Sequence, residues 1–238
     1  MKDPRALTLD EIEAVEKLSL RWMHRAVLDF RFEAWDIFHQ SVDEVKDVAE
    51  DITREILDRL GSYQIQQRIF GNVDYRKARY IILPDTMIRQ ALFVDSKAEK
   101  EARTATLQMS QISMAVRQNR AEEEVDIQGK LPPISVYGGD PYLTTTLLMH
   151  YRYGDEGGRH VLQRITLAAI PNGLLQDRYN PTPDDTIWRA GRNAPTLGED
   201  FRVRLCFPEL NEKCAWRVQR LQYDTANRNI TGEWDDEM

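Results

Sequence analysis

"IRQALFVDSKA", residues 88–98, begins as an apolar strand and ends in charge. Ala91, Leu92, Phe93 and Val94 form a run fit for a buried strand. Side chains alternate along a strand, so Asp95 and Lys97 share one side while Ser96 points to the other. Burying a charge without a partner is expensive. A core strand that nevertheless ends in an acid and an amine predicts a site at that end.

Upstream, "QRIFGNVDYRKARYIIL" is a second strand candidate, joined to the first through the turn signal "PDT". Before it, "VDEVKDVAEDITREILDRLG" sets Val45, Val48, Ala49, Ile52, Ile56, Leu57 and Leu60 on one helical face and stops at Gly61, a C-cap residue. Earlier still, Thr8 and Glu11 spell a capping box. Ile12, Val15, Leu18, Leu20, Trp22, Met23, Ala26, Val27 and Phe30 then predict a helix to about residue 39. Downstream, "EKEARTATLQMSQISMAVRQNR" reads as a helix, and residues 121–140, acidic and then rich in Pro and Gly, as a surface loop. "TTTLLMHYRY", "RHVLQRITLAAI" and "FRVRLCF" read as strands, and "AWRVQRLQY" as a strand or a short helix. Between them, "PNGLLQDRYNPTPDDTIWRAGRNAPTLGED" is an arginine-bearing loop too long for a mere connector, and such loops carry function.

The 238 residues suffice for one substantial core, and no Gly/Ser linker divides them, so one domain over 1–238 is expected. The segment "MKDPRALTLDEIEAVEKL" has no apolar h-region and no run approaches a membrane span, which points to the cytosol. Cys206 and Cys214 are too few for a disulfide framework and have no zinc-spaced companions, so they read as reduced packing residues. The net charge of -7 argues at first against nucleic acid, but it is unevenly placed. Residues 1–60 hold 15 acids against 9 bases, and 231–238 hold 4 acids and no base, which leaves 23 bases and 20 acids for 61–230. Of those 23 bases 18 are arginine, the side chain suited to bidentate contact with phosphate and guanine edges. Composition therefore permits a nucleic-acid partner.

Phosphodiester cleavage needs acidic ligands for a hard divalent cation and a nearby cation to position water and offset developing charge. Asp95 and Lys97 supply half of that arrangement. For a second carboxylate, Asp85 in "LPDT" is conspicuous, because "PD...DSK" spells a known nuclease signature. It stands ten residues before Asp95, however, a span of roughly 30 Å if extended, at the far end of the strand. Folding "DYRKARYIIL" back through the turn brings Asp74 beside Asp95 instead. A third acid is expected from the preceding helix, with Glu50 favoured and Asp51 the competing choice. The bland alternative for D-x-K is a surface ion pair worth little.

These segments resemble the SfiI-type restriction endonucleases of the PD-(D/E)xK superfamily. "LTLDEIEAVEK" and "AEDIT" are similar to the family's first helices, "DYRKARY" and "LFVDSKA" to its catalytic strands, and "TLQMSQISM" to the helix after them. "RYNPTPDDT", "AGRNAP", "GEDFRVRLCF" and "CAWRVQRLQY" resemble its C-terminal half. The resemblance implies an α/β fold with a mixed central sheet flanked by helices. Its parts would be N-terminal helices over 8–60, catalytic strands over 68–98 and a DNA-reading half over 140–225. It also implies metal-binding aspartates at Asp74 and Asp95, a catalytic lysine at Lys97 and a supporting acid at Glu50. Ser96 departs from the family pattern, which has alanine there. The implied chemistry is Mg2+-dependent cutting of both strands of a palindromic duplex, interrupted and GC-rich in its half-sites. The implied agents are a homodimer or homotetramer in a prokaryotic cytoplasm.

For reading bases, Arg178, Asn180, Arg192, Asn193, Arg202 and Arg204 are the candidates, of which about two are expected to touch base edges and others phosphate. Against this, Arg202 and Arg204 can pair with strand neighbours, and Asn180 before Pro181 can simply start a turn. Trp22 and Trp35 read as helix-face packing, His150 and His160 lack a metal-ligand pattern, and Gly138, Gly139, Gly157 and Gly158 read as turn residues. Two other functions compete: a repair or recombination nuclease of the same fold, and a non-catalytic DNA-binding protein.

Overall fold

The computed structural model describes residues 2–40, 44–60, 67–68, 78–83, 87–120, 123–190, 202–224 and 229–236, with the backbone alone at 59–60, 67–68, 78–83 and 229. Thr8 caps the first helix, α1 (Leu9–Asp29), through the reciprocal box with Glu11 expected from the sequence. One helix to residue 39 was expected. The chain breaks at Phe30 and resumes as α2 (Arg31–Gln40), because Phe30 leaves helical geometry while its ring stays buried in the core. The helix α3 (Val45–Leu60) follows the expected span and buries Val48, Ala49, Ile52, Ile56 and Leu57.

The strands β1 (Gln67–Arg68) and β2 (Ala78–Leu83) lead into β3 (Ile88–Glu99), with Ala78 opposite Phe93 and Leu83 opposite Ile88 in an antiparallel pair. Next come β4 (Thr104–Gln108), β5 (Ala115–Arg120) and β6 (Glu123–Gln128). The helix expected after Glu99 is therefore not formed. Ala105, Leu107 and Met109 are buried while Thr106 and Gln108 are half-buried, a period of two satisfied by pairing with a distant strand, and that pairing overrides helical propensity. The expected surface loop over 121–140 likewise holds β6 and β7 (Ile134–Tyr137). Both side-chain faces of β6 are largely exposed, so no hydrophobic alternation marks it.

β8 (Asp140–Glu156) and β9 (Arg159–Ile170) are long, and the buried "TTTLLM" of β8 is core as expected. Gly138 and Gly139 (φ 58° and 87°) and Gly157 and Gly158 (φ 57° and 80°) turn the two tight hairpins at the ends of β8, a conformation that a Cβ disfavours. After the short α4 (Gln176–Tyr179) and β10 (Trp188–Ala190) come β11 (Arg202–Cys206) and α5 (Phe207–Lys213). "AWRVQRLQY" resolves into both alternatives, a 3-10 turn at Ala215–Arg217 and then β12 (Val218–Asp224), which β13 (Asn229–Thr231) follows.

The main sheet runs β1-β2-β3-β8-β9-β12-β13, with β7 on β8, and it is mixed because β3 and β8 are parallel while its other pairs are antiparallel. A parallel pair needs a long crossover, and residues 100–139 supply it. That crossover carries β4 out to a second sheet, ordered β10-β11-β4. Buried hydrogen bonds fix the helices against the main sheet. The Gln90 amide donates to Ser19 Oγ of α1 at 2.6 Å and Thr145 Oγ1 at 2.7 Å, and Thr53 of α3 and the Tyr151 hydroxyl lie 2.9 Å apart. No helix among the described residues is long and apolar enough to cross a membrane.

Candidate active site

At the charged end of β3, Lys97 Nζ lies 2.7 Å from Asp95 Oδ2. It is a close ion pair without hydrogen-bond alignment. The other oxygen, Asp95 Oδ1, accepts from Gln111 Nε2 at 2.8 Å. Asp95 is 8% exposed, so its charge depends on these two partners. Ser96 is buried on the opposite side of the strand, as alternation requires.

A cleft of about 410 Å³ opens over this pair. From α3 it receives Glu50 and, one turn earlier, Lys46. Asp51, the competing acid, is exposed and pairs with Arg54 at 2.8 Å. Helical geometry explains the choice: residues one position apart point about 100° apart, and Glu50 falls on the side toward β3. Thr53, three residues on, is tethered to Tyr151 and holds that side of the helix against the sheet.

Sequence reasoning missed several cleft residues. Glu99 continues the alternating series of Asp95 and Lys97, a signal that was available. It accepts from the Thr106 N–H at 3.3 Å, and its Oε2 lies 3.7 Å from Nε2 of the fully buried His150. Burial pushes the Glu99 carboxyl upward, but His150 and Thr106 outweigh it and leave the group below its ordinary value. Lys46 had the i, i+4 spacing to Glu50. Gln111 and Gln108 had no local signal, since a strand pairing brings them in.

That pairing sets Arg202 opposite Gln108 and Arg204 opposite Thr106, with Arg189 opposite Arg204 across the next strand. Directly opposed residues share a face, so three arginines and two polar side chains form one face of the small sheet, while Trp188, Val203 and Leu205 fill the core from the other. Arg202 also lines the cleft. Arg189 pairs with Glu209 of α5 and was not among the residues expected. Arg178 and Asn180 lie elsewhere. Arg178 binds Asp10 at 2.7 Å and Glu13 at 2.8 Å on α1, and the fully buried Asn180 donates to the Ala115 carbonyl at 2.7 Å. Asp74, Asp85, Arg192 and Asn193 lie outside the described residues.

A mixed sheet whose central strand presents Asp95 and Lys97 to a helix-borne glutamate, beside a basic second sheet, is the architecture of a restriction-endonuclease-like nuclease. The family model for Type II restriction enzyme SfiI matches residues 24–221. Type II restriction enzyme SfiI of Streptomyces fimbriatus is 35% identical, over 99% of this chain and 93% of its own. The crystal structure of tetrameric restriction endonuclease SfiI bound to cognate DNA superposes with a TM-score of 0.88 at 34% identity, covering 100% of this chain and 94% of that one. The chain belongs to the SfiI family of type II restriction enzymes. It is a restriction endonuclease, a site-specific deoxyribonuclease.

Proposed function

We propose that the chain cuts both strands of duplex DNA at a palindromic site in a Mg2+-dependent reaction, with Asp74, Asp95, Lys97 and Glu50 as its catalytic set. The Asp95–Lys97 pair under Glu50, in a cleft bordered by Arg202, is the observation that carries this reading. Carboxylate oxygens with no soft donor suit a hard divalent cation, and Asp95 provides them, with Glu50 a supporting acid in the same cleft. Among the described residues no three such donors cluster, and Asp74 completes the set in this reading. The pairing of Ala78 with Phe93 and of Leu83 with Ile88 supports Asp74, four residues before Ala78 in the sequence, over Asp85, two residues after Leu83. From Ile88 to Asp95 is about 23 Å along a strand.

When bound, Mg2+ supplies Lewis-acid stabilisation of the scissile phosphate and an acidified water. The chain's own groups do the rest. Asp74 and Asp95 would hold the ion, while Lys97, only loosely aligned on Asp95, turns its ammonium toward the attacking water and the phosphate oxygens. In-line attack expels the 3′-oxygen and leaves a 5′-phosphate.

Arg202 and Arg204 are the pair assigned to base edges, since they share the basic face, and Arg192 and Asn193 remain candidates beside them. Arg178 and Asn180 serve the scaffold in this reading. One domain over 1–238 acts in the cytoplasm of a prokaryote. It assembles as a homodimer or homotetramer, since a palindrome is matched by two-fold symmetry and the SfiI relative is tetrameric. The small sheet extends the reading region beyond 140–225, because β4 belongs to it.

Incubation with plasmid or phage DNA in Mg2+ tests the reading. Discrete fragments whose sequenced ends share one palindrome are expected. A smear, or cuts confined to unusual DNA structures, would instead favour a repair-type nuclease.

A further inference from the structure

We propose that Gln111 is a positioning residue that couples base reading on β11 to the carboxylate of Asp95. The proposal rests on the reading of Asp95 as a metal-holding acid. Gln111 stands in the one-turn 3-10 segment Met109–Gln111 that follows β4. Its carboxamide is used at both ends: Nε2 donates to Asp95 Oδ1 at 2.8 Å, and Oε1 accepts from the backbone N–H of Gln108 at 2.9 Å. Gln108 is in turn the Cα partner of Arg202. A route thus runs from an arginine of the basic face, across the β4–β11 ladder to its opposed residue Gln108, and then through one backbone N–H and one side-chain amide to the acid at the catalytic end of β3.

The path matters because it crosses between two sheets. β3 belongs to the main sheet and β4 with β11 to the small one, and among the described residues no strand pairing joins them. Glu99 accepting from Thr106 N–H at 3.3 Å is a second polar contact between β3 and β4, longer and farther from Asp95. A displacement of β11 as Arg202 engages DNA shifts Gln108 through the ladder, and Gln111 passes that shift to Asp95 Oδ1. A planar amide with a fixed donor-acceptor separation suits this task, whereas an apolar side chain of equal length would fill the space and transmit nothing. The device makes the metal-holding geometry conditional on the sequence being read.

The experiment uses the full chain and duplexes that carry the mapped cleavage site or a one-base-pair change in it. Gln111→Met keeps length and volume and removes both hydrogen bonds. It is expected to slow single-turnover cleavage of the mapped site at least about tenfold, the loss typical of a hydrogen bond to a charged group. Affinity for that duplex in Ca2+ should stay within about twofold. Cleavage of the changed site, where the path is not engaged, should slow less, so discrimination shrinks. The double variant Gln111→Met with Arg202→Ala should be no slower than the slower single one, as expected for residues on one path. Wild-type cleavage by Gln111→Met overturns the proposal, and so does equal slowing on both duplexes with discrimination unchanged, which marks a merely structural role. Asp95→Asn, run in parallel, separates the two levels. If it cuts normally the site reading itself falls, and if it is inactive while Gln111→Met leaves discrimination intact only the coupling falls. Thermal melting of each variant confirms that it folds.

Discussion

Asp95 Oδ2 and Lys97 Nζ stand 2.7 Å apart on the same side of β3, one residue between them. β3 pairs with β8 at both positions, Asp95 opposite Leu148 and Lys97 opposite His150, and this ladder fixes the two backbones relative to one another. Asp95→Asn and Lys97→Met are each expected to lower single-turnover cleavage in Mg2+ by about two to three orders of magnitude, the usual cost of removing a charge aimed at the transition state. Near wild-type rates from either variant, on DNA fragments resolved by electrophoresis, would remove that residue from the catalytic set.

Arg204 and Arg178 make opposite predictions although both are arginines in the C-terminal half. Arg204 is on the basic face opposite Thr106, so Arg204→Ala should weaken binding to the mapped site by about 1–3 kcal/mol and relax preference at one base pair. Arg178 is held by Asp10 and Glu13, so Arg178→Ala should leave DNA affinity within about twofold and change stability little, as a solvent-screened pair. Competition binding with single-base variants of the duplex reads both.

Deep in the scaffold, Arg217 and Glu16 are both fully buried with Arg217 Nη2 2.8 Å from Glu16 Oε2, and Glu16 Oε1 accepts from the Asn172 N–H at 2.8 Å. Burial opposes the Arg217 charge, but Glu16 and Tyr179 beside it hold the guanidinium protonated. Arg217→Met leaves Glu16 as an uncompensated buried charge and should cost about 3–5 kcal/mol in urea unfolding. Glu16→Leu combined with Arg217→Met should recover much of that loss, since no charge is then stranded. If the double variant is as unstable as the single, the cost lies in packing against Tyr179 and Trp216 rather than in the charge.

His24 provides a pH dependence of known sign. It is 4% exposed beneath the edge of Trp234, and burial pushes its imidazole below the usual range. As pH falls past about 6.5 the unfolded chain takes up this proton first, so the stability the neutral ring provides is present above that value and declines below it. Melting temperature should therefore drop between pH 7.5 and 5.5 more in the wild type than in His24→Leu. Equal drops in the two proteins would show that His24 does not cause the decline.

The legible parts of the fold were those written in local chemistry. The Thr8–Glu11 box, the apolar stripe of α3 and the run from Ala91 to Val94 each depend on neighbours within one or two turns, and all three form as read. That Glu50 rather than Asp51 faces the cleft was legible for the same reason. Residues 99–120 were not. Their Ala, Gln, Met and Glu content favours a helix, and only pairing with β11, about a hundred residues later in the chain, rewards the extended form of Thr104–Gln108.

The sequence by itself determined that an acid and an amine end a core strand on one side, that a helix-borne acid precedes them, and that the bases of residues 61–230 are mostly arginine. Alternation and helical period are local rules, and they need no partner. Only the tertiary structure decided which of these groups meet. The parallel pairing of β3 with β8 leaves residues 100–139 as a crossover, and that crossover delivers β4 to β11. Gln111 thereby reaches Asp95, Gln108 faces Arg202, and Arg178 is left on α1 with Asp10 and Glu13. Such contacts join segments far apart in the chain, and chain topology, which no local pattern encodes, fixes them.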